Sequence, residues 1–260
     1  KLSGDLPAPQ KSFFRNLIAM IFAFMILTRS GEKLSYRKKD LPMLLMRSIF
    51  GTIGILCNFY AVDHLLVSDA SMLNKLSPFF VIIFSALFLK EKANTVQKIS
   101  VVIAFIGALF VVKPSMDVFQ NINSLIGVMG GLGAGIAYTC VRQLGKQGVK
   151  GARVVFFFSS FSCLVLVPYL LVDYHPMTMQ QLLCLVGAGL MAAGGQFSIT
   201  AAYNFAPAKE ISVFDYTQVV FAAILGFFFL GQIPDLYSVI GYVIIIGVAV
   251  WSFLRQREAA

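Results

Sequence analysis

Charged residues are scarce in this sequence. They make up 13% of its 260 residues, whereas hydrophobic residues make up 58% and the mean hydropathy is +0.81. A soluble domain usually carries about 25% charged residues, because those residues cover its surface. The scarcity of charge excludes a soluble globular protein and predicts an integral membrane protein.

Histidine is scarce too, and the cysteines are not closely spaced. Both features disfavour a metal centre or a nucleophilic active site. The two histidines, His64 and His175, stand alone at segment ends, and the four cysteines lie within apolar segments without a C-x-x-C pair. Zinc sites and Ser-His-Asp triads need several convergent side chains. We therefore expect no cofactor, no metal and no catalytic residue. Residues 1–12 also lack the apolar core of a cleavable signal peptide.

Long apolar segments are what the sequence does contain. A bilayer core of about 30 Å needs roughly 20 apolar residues per helix. No run of alternating ten-residue strands is visible, so a transmembrane barrel is not predicted. The fold class we predict is all-α, with nine visible transmembrane helices near residues 13–28, 41–61, 69–89, 95–112, 124–142, 153–172, 180–202, 210–230 and 235–254.

An internal repeat relates the two halves of the chain. When the sequence is shifted by 141 residues, Ala61 falls on Ala202 and Ser71 on Ser212, and segment lengths and loops also superpose. The second copy has five apolar segments and the first shows four. We therefore expect ten helices in the intact protein, with the first absent from this chain. The predicted repeats are 1–115, lacking its first helix, and 124–256.

The loop charges predict that the two repeats are inverted. Five helices per repeat is an odd number, so the copies must face opposite ways in the membrane. Lysine and arginine concentrate in alternate loops. Where a loop of one copy is basic, the equivalent loop of the other copy is not, as the positive-inside rule requires for inverted copies. The net charge of +9 is thus explained by loops on one side rather than by nucleic-acid binding. The cytoplasmic set is 29–40, 90–98, 142–153, Lys209, Arg255 and Arg257.

The sequence resembles the EamA family of the drug/metabolite transporter superfamily. The first half matches at Arg47, Gly51, 59–61, 69–71, Leu73, 77–78, 87–91 and Gly107, and the second at Gly195, Ala202, Ala208, 225–226, 229–232, Pro234 and Gly241. The resemblance implies two inverted five-helix modules and transport of small metabolites or drugs without nucleotide hydrolysis. Gln218-Val219 stands where the family often has Glu-Pro, and Gln232 where it often has Glu. Both positions lack the family's carboxylate, so the resemblance does not imply a proton-coupling role for Gln218 or Gln232.

Polar residues line one face of each of two repeat-related segments. Asn74 and Ser77, with Lys75 beside them, lie on segment 69–89, and the shift by 141 places Asp215 and Gln218 at the positions of Asn74 and Ser77. Polar groups at membrane depth usually face a bundle interior or a wet cavity. We predict that both faces line a central cavity. The alternative for Lys75 is snorkelling outward from a lipid face.

Helix rise sets the expected depths of the charged residues. At 1.5 Å per residue, Lys75 and Asp215 would lie roughly 14 Å apart along the membrane normal, so a direct bridge is not expected. Arg47 and Asp215 would lie at similar depth and could pair. Arg47 shares a helical face with Gly51 and Asn58, which indicates either a cavity wall or a packing face with Arg47 snorkelling to the cytoplasmic edge.

Tyr138, Gln196 and Tyr216 complete the candidate binding residues. Each could supply a hydrogen bond or an aromatic wall to a solute, with core packing as the alternative for each. Lys75 and Arg15 favour an anionic group on the solute.

The leading hypothesis is a secondary transporter, not an enzyme, that moves a small organic metabolite or drug by alternating access. An intramembrane enzyme acting on a lipid or acyl substrate is the alternative, and a scaffold protein is the third option. We expect a multi-pass protein of the cytoplasmic membrane with a cytoplasmic C-terminus. Its expected partners are a small-molecule solute and the lipid bilayer, with no nucleic acid, and a homodimer stays open.

Overall fold

A computed structural model describes residues 6–31, 35–65, 67–115, 122–230 and 233–258, and most of these residues are helical. No strand occurs in these ranges. The helices are α1 (Ala8–Arg29), α2 (Leu41–His64), α3 (Val67–Asn74), α4 (Ser77–Phe88), α5 (Thr95–Val112), α6 (Asn123–Lys146), α7 (Gly151–Val172), α8 (Met179–Phe205), α9 (Ala208–Ile211), α10 (Thr217–Leu230) and α11 (Leu236–Glu258), with a short 3-10 helix at Phe214–Tyr216.

The all-α membrane fold is confirmed, but the number of nine spanning helices is not. Within the described residues, 8 helices are long and apolar enough to cross a membrane. The predicted segment 210–230 is not in that set. Ala70–Phe88 is in the set, although α3 ends and α4 begins within it. The tenth helix and the inverted repeat stay predictions.

The segment predicted as one helix over 69–89 is interrupted, so its continuity was wrong. α3 ends at Asn74 and α4 begins at Ser77, with Pro78 in the first turn of α4. Proline lacks an N–H, and its ring clashes with the carbonyl of the residue four positions earlier, which here is Asn74. The same ring suits the first turn of a new helix. Pro78 therefore explains both the end of α3 and the start of α4.

The segment predicted over 210–230 is interrupted as well, and it has no proline there. After α9 the chain passes through the 3-10 helix into α10. The hydroxyl of Ser212 donates to the carbonyl of Ala208 (2.5 Å), and that of Thr217 donates to the carbonyl of Phe214 (2.7 Å). Such local hydroxyl bonds compete with the main-chain pattern of a regular helix. Hydroxyl groups thus accompany this interruption where proline accompanies the other.

The chain divides into two compact units, each made of two stretches of sequence. Unit 1 comprises Lys1–Phe59 and Ile136–Ala206. Within it, α1 packs against α7 and α8, and its buried face includes Ala19, Ala23 and Leu27 at a spacing of four residues. The hydroxyls of Thr52 in α2 and Ser162 in α7 share a hydrogen bond of 2.5 Å.

Unit 2 comprises Tyr60–Gly135 and Pro207–Ala260. Its largest helix contact joins α5 to α11, where Gly107 and Gly241 let the two backbones approach closely. Val101, Ala104, Tyr216 and Ile245 belong to the buried apolar cluster of this unit. The outward surfaces of both units carry many exposed large apolar side chains, as a lipid-facing protein requires.

A glycine face on α6 packs against the first interruption. A Cβ atom on Gly131 would lie 2.9 Å from the carbonyl oxygen of Leu73, and one on Gly127 would lie 2.5 Å from Cδ1 of Leu73. Glycine at these two positions therefore lets α6 lie close to the end of α3. At Gly131 the backbone of α6 faces the carbonyl of Leu73, whereas at Gly127 it faces the Leu73 side chain.

We expect Gly131→Ala to destabilise the protein by about 1–3 kcal/mol, because the added methyl group meets a main-chain atom that cannot swing away. Gly187→Ala in α8 is the matched control, since a Cβ there has no atom within 4 Å. The control should be neutral or slightly stabilising, because alanine favours helix more than glycine does. Thermal unfolding in detergent measures both variants. Equal unfolding midpoints would contradict the close approach at Gly131.

Candidate functional site

The two interruptions in unit 2 exchange hydrogen bonds with each other. The ammonium of Lys75 donates to the main-chain carbonyl of Asp215 (3.2 Å) and to Oε1 of Gln218 (2.6 Å). In return, the hydroxyl of Tyr216 donates to the main-chain carbonyl of Lys75 (3.0 Å). The structure thus brings together four of the predicted site residues, and Lys75 bonds to the 3-10 helix and to the start of α10.

The exchange has a simple physical cause. Where a helix stops within a membrane, its last carbonyl groups lose their N–H partners and find no water to replace them. Lys75 and Tyr216 each supply a donor to the other segment, and they stand 141 positions apart, the offset at which the sequence superposes on itself. Tyr216 is fully buried. Each interruption is therefore stabilised by a side chain from the other.

The expected separation of about 14 Å between Lys75 and Asp215 was wrong. It assumed that both segments are straight, uninterrupted helices with a constant rise. The interruptions break that assumption and bring the two backbones within reach of a lysine side chain. The ammonium is held by two acceptors of the protein, which the snorkelling alternative for Lys75 does not predict.

A cavity of about 550 Å³ in unit 2 includes Lys75 and Gln218 in its wall. Its size lies within the range of about 300–1,000 Å³ that small-molecule sites occupy. The wall combines an apolar surface with several hydroxyl and charged groups. The other lining residues are Ser71, 111–113, Val219, Ala223, 233–235, Ser238 and Tyr242.

An ion pair that sequence analysis missed also lines this cavity. Lys113, just after α5, pairs with Asp235, just before α11. Asp235 in addition accepts the backbone N–H of Ser238 (3.0 Å) and so caps α11. The sequence held a signal for this pair, because opposite charges flank two apolar segments at ends that were expected on the same membrane side.

Unit 1 buries Arg47, which is 2% exposed. Its Cζ atom lies 3.9 Å from the centroid of the Phe158 ring. Its Nη1 atom lies 2.0 Å from where a Cβ on Gly51 would be, so the guanidinium occupies the space that this glycine leaves open. Gly51 is one turn further along α2, so the side chain points away from the helix start. Snorkelling to the cytoplasmic edge was therefore wrong for Arg47, and its aromatic partner Phe158 was not foreseen.

The remaining candidates are divided between the units. In unit 1, Tyr138 stacks on Tyr203 with ring centroids 5.1 Å apart. Asn58 is half-buried in α2 and Gln196 is buried in α8, whereas in unit 2 Asn74 is half-buried and Ser77 is buried at the start of α4. Arg47 and Asp215 belong to different units, and their pairing stays a prediction.

Tyr216→Phe should destabilise the protein by about 1–3 kcal/mol, because the variant leaves the Lys75 carbonyl without its donor in a buried setting. Tyr237→Phe removes a hydroxyl from a tyrosine that is 60% exposed and serves as the matched control. Thermal unfolding of both variants in the same detergent is the measurement. The reciprocal bonding would be contradicted if the two substitutions had equal effects.

The Lys113–Asp235 pair predicts a flat pH response over the neutral range. The hydrogen bond from Lys113, followed by those from Ser238, lowers the pKa of Asp235 to about 2. A depressed pKa means that the carboxylate stabilises the fold above its ordinary pKa and that this contribution is lost only as the pH falls through about 2. Wild type and Asp235→Asn should therefore show parallel unfolding midpoints between about pH 5 and pH 8. A wild-type transition in that range that the variant lacks would refute the assignment.

Comparison with known proteins agrees with this architecture. The model of the EamA-like transporter family matches residues 1–113 and 122–254. The pseudopaline exporter of Pseudomonas aeruginosa is 32% identical over 257 residues, covering 98% of this chain and 89% of the exporter. The riboflavin transporter of Vibrio cholerae is 27% identical over 258 residues, covering 97% of this chain and 84% of that protein. A solved crystal structure shares the fold with a TM-score of 0.83 at 14% identity, over 98% of this chain and 91% of the other. The chain is a multi-pass membrane protein that belongs to the EamA-like transporter family.

Proposed function

We propose that this protein is a secondary transporter, not an enzyme, that moves a small organic solute across the cytoplasmic membrane by alternating access. The observation that carries the proposal is the pair of interrupted membrane segments in unit 2 that bond to each other through Lys75 and Tyr216. Discontinuous helices at corresponding positions of two halves are where secondary transporters place their binding sites. Unwound backbone offers carbonyls and N–H groups that a continuous helix would use internally.

The contact between the two interruptions, made by Lys75, Asp215, Tyr216 and Gln218, is called the crossing. The cavity in unit 2 provides a place for the solute beside it. An ammonium has three N–H donors, and the described residues supply Lys75 with two acceptors. The third donor is available to a solute in the cavity that Lys75 lines. A solute that bonds to Lys75 would compete with Gln218 and with the Asp215 carbonyl. Binding would in this way be coupled to the bonds that hold the two interruptions together.

The wider architecture we propose is two inverted repeats of five helices, 1–115 and 124–256, with ten helices in the intact protein. The two separate family matches over residues 1–113 and 122–254 support this division. The crowding of lysine and arginine in alternate loops supports a cytoplasmic C-terminus. The names of the relatives, a pseudopaline exporter and a riboflavin transporter, support a small metabolite as the solute.

Flux into proteoliposomes tests the function. Purified protein is reconstituted, a broad mixture of metabolites is supplied outside, and the trapped contents are identified by mass spectrometry. Lys75→Met should reduce the flux of the identified solute by about tenfold or more, the cost expected for losing a charged hydrogen bond. Lys98→Met, an exposed lysine of the same unit, is the matched control and should transport as wild type.

Three outcomes would contradict the proposal in different ways. Unchanged flux through Lys75→Met would remove Lys75 from the solute path. Loss of flux in both lysine variants would show a general effect of charge removal. Accumulation of a hydrolysed lipid or acyl product without flux would favour the intramembrane enzyme.

A further inference from the structure

Unit 1 contains two arginines of interest, Arg15 and Arg47. Arg47 is almost fully buried, contacts the ring of Phe158, and fills the space that Gly51 leaves open. Arg15 of α1 lies within electrostatic range of Arg47. Two guanidinium groups thus share one region of unit 1, where they repel each other.

Among the described residues of unit 1, no carboxylate balances this pair. The described carboxylates there are Asp40 and Asp173, one before α2 and one after α7. Asp40 bonds to Arg37 (2.7 Å), and Asp173 accepts from the hydroxyl of Tyr169 (2.6 Å). Both are engaged at segment ends and not with Arg47.

The other groups near Arg47 do not neutralise it either. Tyr138 and Cys140 interact with it electrostatically, but a phenol and a thiol are uncharged at neutral pH. Arg15 donates to Oδ1 of Asn16 (3.4 Å), which is a neutral amide. Within the described chain, Nε of Arg47 is buried without any hydrogen-bond partner. A buried cation with unused donors is costly, so a permanently empty site is the least favourable arrangement of these residues.

The chemistry of the guanidinium determines how a ligand can bond to Arg47. Its N–H donors all lie in the plane of the group, and Nε is buried without a partner beside the Phe158 ring, so a ligand bonds along the edge of that plane. That edge presents a planar fork of donors, which matches the two oxygens of a carboxylate. A compact cation such as lysine offers no such fork. The chemistry therefore favours a planar oxyanion over a spherical one.

We propose that Arg47 and Arg15 form an anion-binding site in unit 1 that takes a carboxylate, and that carboxylates are the chemical class of the transported solute. This inference rests on the proposed function and names the chemical class of the solute. Arg47 binds the carboxylate edge-on, while Arg15 adds the second positive charge. The apolar ring of Phe158 fixes the plane in which the carboxylate is held.

Ligand-induced stabilisation of the purified protein tests the site without any requirement for flux. The probes are carboxylic acids paired with their own amides, such as glutamate with glutamine, succinate with succinamide and benzoate with benzamide. Sodium phosphate and sodium chloride form separate arms at the same ionic strength. We expect at least one acid to raise the unfolding midpoint while its amide does not. Arg47→Gln should weaken the apparent affinity for that acid by about tenfold or more.

Matched variants separate recognition from folding. Arg29→Gln removes an exposed arginine from the same helix as Arg15 and should respond as wild type. Arg47→Lys keeps the charge but loses the planar fork, so its response should fall between those of wild type and Arg47→Gln. If Arg47→Gln does not fold, Arg15→Gln and Arg47→Lys carry the comparison.

The inference is overturned if no acid exceeds its amide, or if Arg47→Gln binds the acid as wild type does. Equal stabilisation by phosphate, chloride and the acids would overturn the assignment to a solute and indicate a resident inorganic anion. Acid binding that depends on Arg47, without flux of any metabolite, would leave this site standing and defeat the transport proposal. Flux of an uncharged solute that Arg47→Gln leaves unchanged would do the reverse.

Discussion

Main-chain groups that lose their helical partners inside a membrane need new partners from the protein itself, and the central part of unit 2 depends on this constraint. The two interrupted segments meet because each supplies what the other lacks. Lys75 reaches a carbonyl of the second interruption, and Tyr216 reaches a carbonyl of the first. Water would make the same bonds at a protein surface, but lipid offers none. In the crossing, two segments whose carbonyls lack helical partners therefore stabilise each other.

The close packing around the crossing follows from the same constraint. Side chains can reach across to the neighbouring backbone only if the segments lie near each other, and Gly127 and Gly131 of α6 allow that approach to the first interruption. Lys75 and Gln218, which bond to each other there, also line the cavity of unit 2.

Much of the fold could be predicted from the sequence because lipid imposes strict rules on composition. Apolar runs of about 20 residues specify helices, and the described helices match eight of the nine predicted segments. The site was less predictable. Asn74, Lys75, Asp215 and Gln218 stood out as polar residues in apolar runs, but their distances depended on two interruptions. Pro78 was the available signal for the first, whereas hydroxyl groups at Ser212 and Thr217 carry no comparable pattern.

Arg47 shows why burial could not be derived from periodicity. A helical face with arginine and glycine fits either an edge position or an enclosed one, since Gly51 serves close packing in both cases. The direction of the side chain depends on Phe158, which comes from a helix more than a hundred residues later. Only the tertiary structure reveals that Arg47 is buried against Phe158.

The two interruptions also differ in how permanent they are. A proline ring blocks the regular helix at Asn74 through covalent geometry, and no rearrangement of the chain removes that block. Around Ser212 and Thr217 the structure shows local hydroxyl hydrogen bonds instead, and a single such bond contributes only about 0.5–1.5 kcal/mol. The first interruption is therefore specified by covalent structure, whereas the second depends on weaker, local interactions.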